Sequence, residues 1–135
     1  ADQGKHVMTY SLLPHIGGWR DEVIPQAYDL NNPIILHSVG GGDGSDSIES
    51  LVSVDMPNIT IETVKQAEDG NGIIVRLYEN HQYRGKATIQ AGFELAEVYH
   101  CNLLEENETT LDVTDNAVTI PIRPYQIATL RLVAK

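Results

Sequence analysis

The run Gly72-Ile73-Ile74-Val75-Arg76-Leu77-Tyr78-Glu79 constrains this chain more than any other stretch, because it is the most continuous apolar segment and turn residues bracket it. It is short and rich in β-branched residues, which favours a strand over a helix. Ile73, Val75 and Leu77 fall on one alternating face and Ile74 and Tyr78 on the other, so a central strand covered on both sides is expected. Asp69-Gly70-Asn71-Gly72 before it tolerates positive φ, and residues 59–65 then fold back as the antiparallel partner. A hairpin seeds the sheet.

Further strands are expected at 50–54, 86–90, 95–101, 109–113, 117–122 and 126–133, with turn signals between them. Short strands at this spacing predict an all-β fold, an antiparallel sandwich of two sheets. Val118, Ile120 and Ile122 alternate with Ala117, Thr119 and Pro121, and Asp115-Asn116 ahead of them suits a hairpin turn. Pro121 and Pro124 belong at a sheet edge or outside the ladder. Upstream, residues 6–13 and 34–36 read as strands. Residues 20–30 carry Val23, Ala27 and Leu30 at helical spacing behind Asp21 and Glu22, so one short helix fits, with Pro25 in its opening turn.

Residues 38–49, rich in Gly, Ser and Asp, read as a flexible loop or linker. A phosphate-cradling loop would need the Walker lysine and a following helix, and the acidic spacing is wrong for an EF-hand. The chain of 135 residues has room for one ordinary domain, or one small domain and a piece of another. Its start at Ala1, without an initiator methionine, fits a processed product or a piece of a longer protein.

Nine basic against 19 acidic residues give a net charge of −10, which repels phosphate backbones and anionic lipid. Neither nucleic acid nor a membrane is an expected partner. No run is long enough to cross a bilayer, and the first residues lack the order of a signal peptide, so a cytoplasmic location is expected. Cys101 is alone and sits in an apolar strand, where an inert buried thiol is the default.

Five histidines (His6, His15, His37, His81, His100) show no close pairing on one element that would mark a metal site. Glu105-Glu106 and Asp21-Glu22 are the densest carboxylates, but sequence neighbours diverge rather than face each other across a glycosidic bond, so they read as solvated or as local caps. The Gly-x-Ser-x-Gly elbow of a serine hydrolase is missing. Asn58-Ile59-Thr60 and Asn107-Glu108-Thr109 match the glycosylation acceptor, a tripeptide common by chance. Tyr10, His15 and Trp19, around the first glycine-rich connector, are the candidates for contact with a sugar or a neighbouring domain. Trp19 could stack on a ring or plug a core.

Three blocks carry a resemblance. His6-Val7-Met8-Thr9-Tyr10-Ser11-Leu12-Leu13-Pro14-His15-Ile16-Gly17-Gly18-Trp19-Arg20 with Ala27-Tyr28-Asp29-Leu30-Asn31-Asn32-Pro33 is the first. Val64-Lys65-Gln66-Ala67-Glu68-Asp69-Gly70 leading into Ile74-Val75-Arg76-Leu77-Tyr78-Glu79 is the second, and Asn102-Leu103-Leu104-Glu105 with Pro124-Tyr125-Gln126-Ile127-Ala128-Thr129-Leu130-Arg131-Leu132 the third. In this order they resemble the C-terminal region of bacterial and cytosolic-type family 38 α-mannosidases.

The resemblance implies residues 1–37 as the tail of a mutarotase-like β-supersandwich with the short helix, and 50–135 as a small closing β-sandwich. It further implies a retaining, metal-dependent parent enzyme, with zinc or another divalent metal and an aspartate nucleophile in an N-terminal catalytic domain acting on terminal α-mannosyl groups. No position of this chain matches those catalytic or metal residues. The expected partners are that catalytic domain of the same polypeptide, mannosides, and further copies if the parent is a homo-oligomer. Met8 departs from the aromatic residue the family pattern favours, and the glycine-rich loop from Val39 is foreign to it. A free-standing carbohydrate-binding module is the alternative function, and an independent small enzyme a third.

Overall fold

The computed structural model describes residues 3–38, 40 and 50–135, which fall into two units divided after Gly40. Nearly all of the expected loop at 38–49 lies outside the described residues.

Among the described residues of the first unit the one regular element is helix α1 (Val23–Asn31). It begins later than the sequence predicts: residues 19–22 form turns, and the Val23 and Ile24 amides donate to the Trp19 carbonyl at 3.1 and 3.3 Å. Pro25 lies in the opening turn, where its missing N–H costs nothing. No residue of α1 is buried. Residues 6–13 and 34–36 have no regular secondary structure and are not strands. Their β-favouring side chains have no ladder to join among the described residues, and an extended segment without a hydrogen-bonded neighbour does not hold as a strand.

The second unit is a sandwich of antiparallel sheets. Its strands are β1 (Val52–Val54), β2 (Ile59–Gln66), β3 (Ile73–Glu79), β4 (Gly85–Ala91), β5 (Leu95–Cys101), β6 (Asn107–Leu111), β7 (Ala117–Ile122) and β8 (Ile127–Ala134). One sheet has the order β1-β4-β7, the other β2-β3-β8-β5-β6. Val75, Leu77, Val98, Leu130 and Leu132 of the larger sheet meet Ala87, Ile89, Val118, Ile120 and Ile122 of the smaller in one core. The alternation read in β7 and β8 thus places one face of each inward.

The expected hairpin forms: β2 pairs with β3 from Ile59↔Glu79 to Gln66↔Ile73. Its loop uses φ of +76° at Gly70 and +89° at Gly72, and the Asn71 amide donates to Asp69 Oδ1 at 2.9 Å. At Gly72 a Cβ would stand 2.5 Å from the Leu132 carbonyl oxygen, so glycine is required by space as well as by φ. β3 lies between β2 and β8, and Ile74, on its outer face, is fully buried. Pro121 occupies an edge strand, as its lack of an amide hydrogen demands.

The Asp115-Asn116 turn also forms, with φ of +51° and +58°, and Thr114 and Ala117 exchange both backbone hydrogen bonds. Its flanking strands nevertheless part company. β6 ends two residues earlier than predicted and joins the larger sheet, while β7 joins the smaller, so the turn is a crossing between layers and not the head of a ladder.

Candidate functional site

The residues singled out in the first unit are exposed. Tyr10 is 85% exposed. The His15 ring shares a hydrogen bond with the Leu13 carbonyl through Nδ1 at 3.1 Å, on an exposed turn. Trp19 is half-exposed among the described residues, and the Arg20 guanidinium lies 5.2 Å from its ring centroid in a cation–π contact. A cavity of about 390 Å3 beside α1 is lined by Ser11, Leu13, Val23, Gln26, Ala27, Asp29 and Leu30, and by none of the three.

The densest polar chemistry is in the sandwich, at two places, of which the sequence pointed only to Glu105 in the second. At the end of β3 the Glu79 side chain is 1% exposed and accepts five hydrogen bonds. Oε1 takes the Asn58 amide at 2.9 Å and the backbone N–H of His81 and Tyr83 at 2.8 and 2.9 Å. Oε2 takes the backbone N–H of Gln82 at 3.0 Å and of Tyr125 at 2.9 Å. Burial pushes this carboxyl up, but the Asn58 amide and the Tyr125, Tyr83 and His81 amides outweigh it and hold the pKa at about 2. The signal for it was an acidic residue at the same parity as the core residues Val75 and Leu77.

The second place lies on the outer face of the larger sheet, where Lys65, Ile74, Arg131 and Tyr99 follow one another across β2, β3, β8 and β5 in register. The β5–β6 loop folds over this row. Arg131, 4% exposed, donates through Nη1 to Asp69 Oδ1 at 2.7 Å and the Asn71 carbonyl at 2.7 Å, and through Nη2 to the Glu105 carbonyl at 2.8 Å. Glu105 in turn accepts from Lys65 Nζ and from the Glu68 amide, both at 2.8 Å. The Arg131 hydrogen bond lowers the Asp69 pKa, and the Lys65 hydrogen bond lowers that of Glu105. Glu105, read from sequence as solvated or capping, is therefore a buried tie between sheet and loop. Its neighbour Glu106 is exposed and accepts from Asn102. Asp21 and Glu22 sit in the exposed turn ahead of α1.

Cys101 is buried, and burial raises its pKa despite the nearby Arg131. Its Sγ approaches Asn107 Oδ1 at 3.2 Å. Among the described residues no group of three or more His, Cys, Asp or Glu side chains could hold a metal ion. Among them, too, no helix is long and apolar enough to cross a membrane.

Fold and polar ties together define a β-sandwich whose buried charges fix loops, with Asp69, Glu105 and Arg131 on the wall of one open cavity of about 290 Å3. The family described as glycosyl hydrolases family 38 C-terminal beta sandwich domain matches residues 58–130, and the chain belongs to that family. It is 35% identical to mouse alpha-mannosidase 2C1 and 34% to the human protein of that name, over 139 residues and 98% of this chain in each case. Alpha-mannosidase G of Dictyostelium discoideum is 31% identical over 142 residues. The chain spans about 13% of the length of each of these relatives.

Proposed function

We propose that this chain is the non-catalytic C-terminal part of a cytoplasmic, metal-dependent α-mannosidase that releases terminal α-mannosyl groups. The sandwich braces the catalytic part, and the first unit is the tail of the preceding β-supersandwich. One observation carries the reading: Val7, Met8, Tyr10, Leu12, Ile16, Ile34, Ile35 and Leu36 are each about four-fifths or more exposed. So many exposed apolar side chains on two segments without regular structure are the mark of segments that pack against other residues. The small share of each relative's length that the chain spans supports the same reading. Zinc, or another divalent metal, and the nucleophile belong to the remainder of that polypeptide.

The test compares the pure chain with the intact polypeptide on p-nitrophenyl α-mannoside, with and without added divalent metal. The expected result is turnover by the intact polypeptide alone, and metal-dependent turnover by the pure chain overturns the reading. A carbohydrate-binding module is less well supported, because none of Tyr10, His15 and Trp19 lines the cavities beside α1 and on the larger sheet.

A further inference from the structure

Within residues 50–135 the cations divide sharply. Lys65 and Arg131 belong to the buried ties, Arg76 donates to Thr129 Oγ1 and the Leu103 carbonyl, and Lys135 pairs with Glu94. Arg84, Lys86 and Arg123 are exposed, and their side chains make no hydrogen bond or ion pair among the described residues. The three sit at one end of the β4–β7 ladder. β4 and β7 pair through Lys86↔Pro121 and Gly85↔Ile122, and Arg84 and Arg123 are the residues next beyond that last pair on each strand. Ile122 points into the core, so its neighbours in the alternation face outward. In a chain of net charge −10, acidic side chains to neutralise this end were plentiful, and none does so.

Two exposed tyrosines flank the cations, and both are held in place. The backbone N–H groups of Tyr83 and Tyr125 donate to the two oxygens of the one Glu79 carboxylate. The Tyr83 ring covers Gly85 so closely that a Cβ there would lie 2.7 Å from it. Arginine and tyrosine on a rigid support are the composition of a protein interface, since little freedom is lost when a partner arrives.

We propose that this end of the sandwich, presenting Arg84, Lys86, Arg123, Tyr83 and Tyr125, is the docking surface for an acidic segment of the longer polypeptide. The proposal rests on the reading of the chain as part of a larger α-mannosidase. Charge complementarity selects the occupant: the surface needs anionic side chains, while the net charge of the whole chain disfavours a phosphate backbone. Interfaces between domains of one chain are commonly polar, and this one matches that character.

The test uses carbodiimide on the intact polypeptide, which joins a lysine to a carboxylate in direct contact, followed by mass spectrometry. Lys86 is expected to link to an Asp or Glu outside residues 1–135 and to be protected from acetylation about tenfold relative to the isolated chain. Links confined to this chain or to a second copy of it, or equal acetylation in both forms, overturn the proposal. As a second arm, Arg84→Glu with Arg123→Glu is expected to lower the melting temperature of the intact polypeptide by about 4 °C or more while moving that of the isolated chain by about 2 °C or less. An equal shift in both overturns it. Hydrolysis of p-nitrophenyl α-mannoside by the intact polypeptide is read separately: its absence together with the external Lys86 link would refute the enzymatic reading and leave the docking surface standing.

Discussion

Glu79 Oε2 accepts the backbone N–H of Tyr125 at 2.9 Å, across 46 positions of sequence. The same carboxylate bonds three consecutive residues of the β3–β4 loop and the Asn58 amide ahead of β2, so one side chain holds together three connections of the sandwich. Two residues it fixes have positive φ without being glycine, Gln82 at +62° and Tyr125 at +57°. That strain is held by the carboxylate.

Glu79→Gln keeps the shape but sets an NH2 group against amides that already donate. Leaving buried donors unpaired is expected to lower the unfolding free energy by about 3 kcal/mol. Urea titration at pH 7 measures it, and a loss below about 1 kcal/mol would show that the loops hold without the anion.

The pH dependence follows from the same group. A carboxyl held at about 2 in the folded protein, against an ordinary 4.5, binds its proton more readily once unfolded. Its stabilisation is therefore complete above about pH 4.5 and is lost as pH falls towards 2. Asp69 and Glu105, also lowered, act in the same direction. Urea midpoints taken at steps through this range should decline on acidification, and Glu79→Gln should flatten the decline.

Gly72→Ala and Gly70→Ala separate space from conformation. Both glycines have positive φ, but only at Gly72 does a Cβ meet backbone, the Leu132 carbonyl, whereas at Gly70 it meets nothing within 4 Å. Gly70→Ala is expected to cost about 1 kcal/mol, the penalty of the left-handed conformation. Gly72→Ala should cost at least about 3 kcal/mol, since β3 or β8 must shift as well. Thermal unfolding of the pair provides the comparison.

Cys101 is 2% exposed, with its pKa raised by burial. Alkylation by iodoacetamide at pH 8 should run at least about 100-fold slower in the native chain than in urea, its rate following opening of the larger sheet. Mass spectrometry over time reads it.

The strands of the sandwich were legible because alternation and turn residues are local signals. Val118, Ile120 and Ile122 announce their face without reference to any other strand, and Gly70 and Gly72 mark the hairpin loop. What failed depends on distant partners. Residues 6–13 have the composition of a strand, but a strand exists only with a neighbour, and the described residues supply none. β6 and β7 looked like a hairpin because their turn is correct, yet the layer each joins is decided by pairing with β5 and β4. Glu105 read as a solvated acid because nothing in its neighbourhood announces Lys65 and Arg131, which only the register of β2 and β8 brings within reach.

The order of the larger sheet carries a last implication. β8, at residues 127–134, is the latest strand in the sequence and yet the middle one, inserted between β3 and β5. Until those residues leave the ribosome, the hairpin of β2 and β3 and the pair of β5 and β6 must wait as separate halves with bare inner edges. Assembly of this layer thus waits for residues 127–134, and a ribosome stalled short of Ile127 would hold a nascent chain with two open seams, an attractive target for chaperones and for aggregation.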